Sequence, residues 1–165
     1  MNAPLAEMLR YNRWATLTLV NGCRVLTDKQ LDHRMPEASG SVRELLCHVV
    51  GGQRTQALRT EGRQHEGELT RSSPWPGFDA LIEAATASAD ALVAIAEALE
   101  TDPEVILPFM GKAYRYPKSF FLVHAVAHGT EHRTEIKLSL ANLGIETPDL
   151  DGWQYAVAMG YGQET

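Results

Sequence analysis

Six histidines occur among 165 residues, at positions 33, 48, 65, 124, 128 and 132. The last three recur every fourth residue within His124-Ala125-Val126-Ala127-His128-Gly129-Thr130-Glu131-His132-Arg133. Four residues turn an α-helix by about 400°, so neighbours in such a row differ by only about 40° and about 6 Å along the axis. On a helix centred on His132, the residues within about 40° are Phe121, Ala125, His128, Ile136, Ser139 and Leu143. This is an apolar stripe, so His128 and His132 occupy core-facing positions. His124 falls about 80° away, on the shoulder of the stripe, where an outer-shell role suits it better than that of a ligand.

Two imidazoles at neighbouring core positions need partners, because each ring carries a donor and an acceptor that water no longer satisfies. A metal ion satisfies one side of both. The HxxxH spacing lets two ring nitrogens converge on an ion at about 2 Å, and a third ligand must then come from another helix. His48 is the candidate, since it flanks an apolar stripe on an earlier helical segment. His33 and His65 stand in polar connections, where imidazole is ordinarily solvated. Three nitrogens in a tetrahedral set would leave one position open for water or substrate. The competing reading is a buried network in which the same rings bond to carboxylates and carbonyls, with His48 an ordinary helix-edge histidine. Spacing alone leaves both open.

Other polar residues border this row. Glu131 and Glu135 are close enough to orient an imidazole or relay a proton. Glu135 lies about 60° from His132, although a surface pair with Lys137 or Arg133 explains it equally well. Asn12 interrupts an apolar stripe near the start of the chain and would either face the same cavity or pair within the core. Trp14 and Trp153 read as pocket walls or as plain aromatic packing.

The elements that position these residues follow from hydrophobic period. Leu5, Leu9, Asn12, Thr16, Leu19, Cys23 and Leu26 alternate steps of four and three, which predicts one long helix. Ser41-Val42-Arg43-Glu44 is a capping box that starts a second helix, to about Leu58, with Val42, Leu45, Val49, Gly52 and Gln56 turned inward. A third runs from Phe78 to Leu99 before Thr101-Asp102-Pro103. Val105–Phe109 and Ala113–Tyr116 flank Met110-Gly111-Lys112 and predict a short hairpin whose glycine takes a left-handed conformation. Pro117 is expected in the first turn of a fourth helix that closes at Gly144. Asp151 caps a final short helix through Trp153, Tyr155, Ala156 and Met159. The connection 32–40 has no period, and the longer one, 61–77, is of a length that is usually functional or exposed. The result is an all-α fold: a four-helix bundle with long crossover connections, most naturally in the second and third links, in one domain over 1–165.

Composition narrows the function further. The formal charge of −6 opposes a nucleic-acid footprint, which requires a concentrated basic surface. The apolar content of 44% and charged content of 22% are those of an ordinary globular chain, without a membrane span. Cys23 and Cys47 form no framework, and Met1-Asn2-Ala3-Pro4 lacks the basic and apolar regions of a signal peptide, so a reducing cytoplasm is expected. A chain of this length builds a core without a metal, which is then optional for folding.

Four segments resemble the DinB/YfiT-like metal-binding bundles. Tyr11-Asn12-Arg13-Trp14-Ala15 is similar to their opening YNxWA. Ser41-Val42-Arg43-Glu44-Leu45-Leu46-Cys47-His48 resembles the second-helix segment that ends in a histidine. The block His124 to Arg133 is similar to HxxxHxxxHR, and Leu143-Gly144 followed by Pro148-Asp149-Leu150-Asp151 resembles the closing pattern. The resemblance implies a homodimeric bundle that holds a divalent ion on His48, His128 and His132, with zinc or nickel expected and iron also suited. Two departures, Ala127 where asparagine is frequent and Thr134-Glu135 where Gly-Gln is usual, touch the surroundings of the ligands. Members of that family include S-transferases that use bacillithiol or mycothiol and a mycothiol-dependent maleylpyruvate isomerase. The expected function is therefore metal-dependent thiol transfer, or hydrolase-type chemistry, on a small electrophilic substrate with a low-molecular-weight thiol. The alternative is a noncatalytic metal-binding protein of stress response or interaction, and a third reading is a structural dimer with satisfied core histidines.

Overall fold

A computed structural model describes residues 3–64 and 69–162. Helix α1 (Ala3–Gly22) buries Leu5, Leu9, Asn12, Thr16 and Leu19 along the predicted stripe. It stops short of Leu26, because the chain tightens into one 3-10 turn at Cys23–Val25. A one-turn helix α2 (Asp28–Leu31) follows, with a capping box between Thr27 and Gln30; four residues are too few to show a period. Helix α3 (Val42–Thr60) begins where the capping box places it, with Ser41 Oγ accepting from Glu44 N and Glu44 accepting from Ser41 N. Helix α4 spans Phe78–Ala98.

Strands β1 (Glu104–Phe109) and β2 (Lys112–Pro117) form the hairpin, in register from Glu104 opposite Pro117 to Phe109 opposite Lys112. The turn is two residues long, not three. Met110 and Gly111 both have positive φ, 49° and 75°, the signature of a turn that matches strand twist. Lys112 belongs to the ladder. Pro117 likewise ends β2 in an extended conformation and stands before helix α5 (Lys118–Asn142) rather than within its first turn. Helix α5 ends in a Schellman arrangement: Gly144 at φ 70° donates to Ala141 O, and Ile145 N donates to Leu140 O. Asp151 caps α6 (Gly152–Ala158) through Gln154 N.

The four long helices form a ring in the order α1, α4, α3, α5, each packed mainly on its two ring neighbours. The links α1 to α3 and α4 to α5 therefore cross the bundle diagonally. The third link thus crosses as expected, whereas the connection 61–77, also expected to cross, joins the adjacent helices α3 and α4, and the first link crosses in its place. No described helix is long and apolar enough to span a membrane.

Two apolar clusters fill the interior. One contains Leu19, Leu45, Leu46, Leu81, Ile136 and Leu140, and the other Leu5, Leu9, Leu92, Leu122 and Val126. Each fully buried leucine contributes about 1.5–3 kcal/mol relative to exposure. Between them runs a polar layer. Arg133 donates to Asn12 Oδ1 at 2.7 Å and Thr16 Oγ1 at 2.9 Å, and Asn12 Nδ2 donates to Gln53 Oε1 at 3.1 Å. Gln53 Nε2 then reaches Ala85 O and Ser88 Oγ, both at 2.8 Å. This chain links all four long helices, and a slip of any one would strand a buried donor or acceptor. It fixes the rotation of α5 and thereby the direction of the histidines.

Candidate metal centre

Helices α3 and α5 pack against each other, and the three histidines face one another across that seam. His48 Nε2 and His128 Nε2 are 3.1 Å apart. The ring of His132 lies with its centroid 4.5 Å from that of His48 and 4.5 Å from that of His128. One nitrogen from each ring can be chosen so that all three lie within 4.8 Å of one another. His132 is buried, and the other two are half-buried at the edge.

Local sequence explains this approach. Gly51 and Gly52 sit in the middle of α3, where each glycine costs about 1 kcal/mol relative to alanine. A Cβ on Gly52 would lie 2.3 Å from His128 Cε1, and one on Gly51 would lie 1.7 Å from the carbonyl oxygen of Leu69. The first glycine admits the connection between α3 and α4; the second admits the imidazole. Gly129 does the same for the polar layer, since its Cβ would meet Arg133 Nη1 and Asn12 Oδ1 at 2.6 Å each.

His132 Nδ1 is hydrogen-bonded to Glu135. A carboxylate only accepts, so the ring supplies the proton at Nδ1, and in the neutral ring Nε2 keeps its lone pair. Glu135 is itself held by Ser39, whose backbone N and Oγ donate to its two oxygens at 2.9 Å and 3.0 Å. Burial pushes the Glu135 carboxyl up, but the Ser39 N–H, the His132 ring and the Ser39 hydroxyl together hold it below its usual range. Arg71 Nη2 donates to Ser39 Oγ at 2.8 Å, which completes a chain from Arg71 to His132.

Burial, then the Arg71 and His132 charges, pull the His48 imidazole down to about 4. Burial, then His132 and His48, pull His128 down to about 3. Both rings are therefore neutral at pH 7 and carry a free lone pair, the form in which imidazole ligates a metal.

The remaining candidates lie elsewhere. His124 is half-buried and stacks on Phe120 at 5.9 Å, with its ring 5.6 Å from that of His128 and outside the group of three. Beyond it a cavity of about 440 Å³ is lined by Arg59, Leu107, Tyr116, Phe120 and Phe121 among others. Glu131 is exposed, and no hydrogen bond ties it to a described ring. Asn12 belongs to the polar layer and not to the histidine group. Glu135 contacts His132 and Ser39 rather than Lys137 or Arg133. Arg133 is a buried cation among neutral acceptors, and burial pulls it down to about 10. Trp14 packs against Tyr11 and Tyr155 and also lines a surface groove with Arg10, Arg13 and Leu17, whereas Trp153 is 81% exposed. His33 is hydrogen-bonded to Asn142 Oδ1 at 3.1 Å rather than merely solvated, and His65 lies outside the described residues. Ser39, Arg71 and the role of Gly52 escaped sequence reasoning. Only the paired glycines inside a helix carried a local signal.

The residues fit a divalent ion. Nitrogens bound to zinc at about 2.0–2.1 Å with a tetrahedral angle stand about 3.3 Å apart, close to the spacing of the two facing Nε2 atoms. The donor set is neutral imidazole, and one ring is already oriented by a carboxylate in the manner usual for metal-bound histidine. Comparison with known proteins agrees on the fold. A crystal structure of a DinB-like protein from Bacillus cereus ATCC 10987 is 22% identical, with a TM-score of 0.62 over 88% of this chain and 94% of that one. No curated protein matches the chain. The pattern of the DinB family matches residues 1–164, from the first turn of α1 to beyond α6, and the chain belongs to that family.

Proposed function

We propose that His48, His128 and His132 hold a divalent metal ion, zinc or nickel, with iron also suited to the donor set, and that the protein is an enzyme acting on a small electrophilic substrate. The observation that carries this reading is the pair of Nε2 atoms facing each other at 3.1 Å. When bound, such an ion acidifies a thiol or water and so supplies a nucleophile near neutral pH. A low-molecular-weight thiol is the favoured nucleophile, and water is the hydrolytic alternative.

The chain's own residues have distinct parts. Glu135 holds the Nδ1 proton of His132 and fixes that ring. Gly52 leaves room for His128. The cavity beyond His124 offers an aromatic wall and the Arg59 guanidinium to the organic part of a substrate.

Metal analysis of protein purified without a histidine tag tests the first half. About one ion per chain is expected, with near-complete loss in His48→Ala, His128→Ala and His132→Ala, because a three-ligand site tolerates no missing ligand. Metal retained by all three variants would refute the assignment. The second half is tested by conjugation of bacillithiol, mycothiol, glutathione and cysteine to 1-chloro-2,4-dinitrobenzene, and by hydrolysis of activated esters. Metal-dependent turnover in one of these assays is expected. A loaded protein inert in all of them is a metal-binding protein without this activity.

A further inference from the structure

Arg71 is the unexplained charge beside the histidines. Its Nη2 bonds to Ser39 Oγ, the same hydroxyl that donates to Glu135, so the guanidinium stands three hydrogen bonds from His132. No carboxylate pairs with it among the described residues, and its Nε is buried without an acceptor. Burial of a guanidinium donor without a partner is unfavourable, and a cation next to a metal site opposes the metal. Both features become favourable if an anion lies between. Charge counting agrees: the neutral rings contribute nothing, Arg71 and Glu135 cancel, and a divalent ion leaves the centre with its whole charge unbalanced.

We infer that Arg71 receives the carboxylate of a small anionic substrate, which joins the three-histidine centre on the side facing the Ser39–Glu135 pair. The inference rests on the metal reading above and adds the class of ligand. The planar fork of arginine suits a carboxylate, and Ser39 occupies only one of the five guanidinium donors.

Cobalt(II)-loaded protein has a visible spectrum that changes when a ligand joins the ion, so acetate and, as its neutral counterpart, imidazole are titrated against it. In Arg71→Gln, acetate binding is expected to weaken about tenfold or more, the loss of one charge-assisted contact, with imidazole binding changed less than about twofold. Arg71→Lys keeps the charge but not the fork and should bind acetate more weakly than the parent yet more tightly than Arg71→Gln. Cobalt affinity of Arg71→Gln should equal or exceed that of the parent, because a like charge has been removed. Unchanged acetate binding in a cobalt-loaded Arg71→Gln overturns this inference alone. So does weaker cobalt binding with both ligands affected alike, which marks a purely structural arginine. A parent protein that takes up no cobalt overturns the metal reading and this inference with it.

Discussion

At the scale of single residues, the centre depends as much on what is missing as on what is present. Gly52 faces the His128 ring with no side chain, and the resulting gap is filled by the imidazole itself. Alanine there would favour the helix by up to about 1 kcal/mol, yet its methyl would push the ring away from His48. Gly52→Ala is expected to leave helical content intact and shift Tm by only a few degrees, while zinc affinity measured by calorimetry falls at least about tenfold. An unchanged affinity would show that His128 does not need its present position. The histidine row was legible in the sequence because its spacing is local, and His48 was singled out by its place beside an apolar stripe. Gly52 was visible only as a stripe position, since the atom it avoids lies 76 residues along the chain, on another helix. Ser39 and Glu135 are separated by 96 residues and Arg71 and Ser39 by 32, so no periodicity connects them. Of the two readings open for each, Asn12 takes the one that braces the core and Glu135 the one that touches the ring.

At the scale of elements, the segment Tyr11-Asn12-Arg13-Trp14-Ala15 serves three helices at once. Asn12 and Ala15 face the interior, and Arg13 pairs with Asp90 of α4 at 2.6 Å. Tyr11 and Trp14 pack against Tyr155 of α6, and the Tyr11 hydroxyl donates to Leu150 O at 2.7 Å. One turn earlier, Glu7 accepts from Tyr155 Oη at 2.6 Å and Tyr161 Oη at 2.8 Å, which fastens the C-terminal segment to α1. Helix spans and caps were readable from period and capping chemistry. The ring order was not, because connection length does not state which neighbour a helix will choose: links of similar length join both adjacent and diagonal helices. The strap predicts a pH dependence. The Tyr155 hydrogen bond, then that of Tyr161, holds the Glu7 carboxyl below its ordinary 4.5. A depressed carboxyl adds stability above its unfolded value and loses it as pH falls through the folded one. Tyr155→Phe should therefore lower Tm by about 2–4 °C at pH 7, about 1 kcal/mol after allowance for the exposure of Glu7, with the difference fading at a pH well below the ordinary carboxyl range. Equal differences at both pH values would show that the loss comes from packing and not from the charged hydrogen bond.

At the scale of the whole molecule, the question is whether the fold holds the site or the site holds the fold. The two apolar clusters are built from all four long helices, and the polar layer between them closes through Arg133, Asn12, Gln53 and Ser88 without any histidine. The histidines lie at the α3–α5 seam, between helices already packed along their lengths. Removal of an ion therefore takes a link from a seam that has others, unlike a zinc finger, where the metal replaces a core. Chelator-treated protein should keep its helical circular dichroism and unfold cooperatively. An ion that binds only the folded chain adds stability by mass action, about 2.7 kcal/mol at a free concentration one hundred times its Kd. For a chain of this size that is a rise in Tm of about 5–10 °C. The rise should grow with the logarithm of free zinc or nickel and be absent in His128→Ala, whose own apo Tm should remain near that of the parent. A chain that lost its helices on chelation would mean that the ion completes the core, and the histidines would then count as structural ligands first.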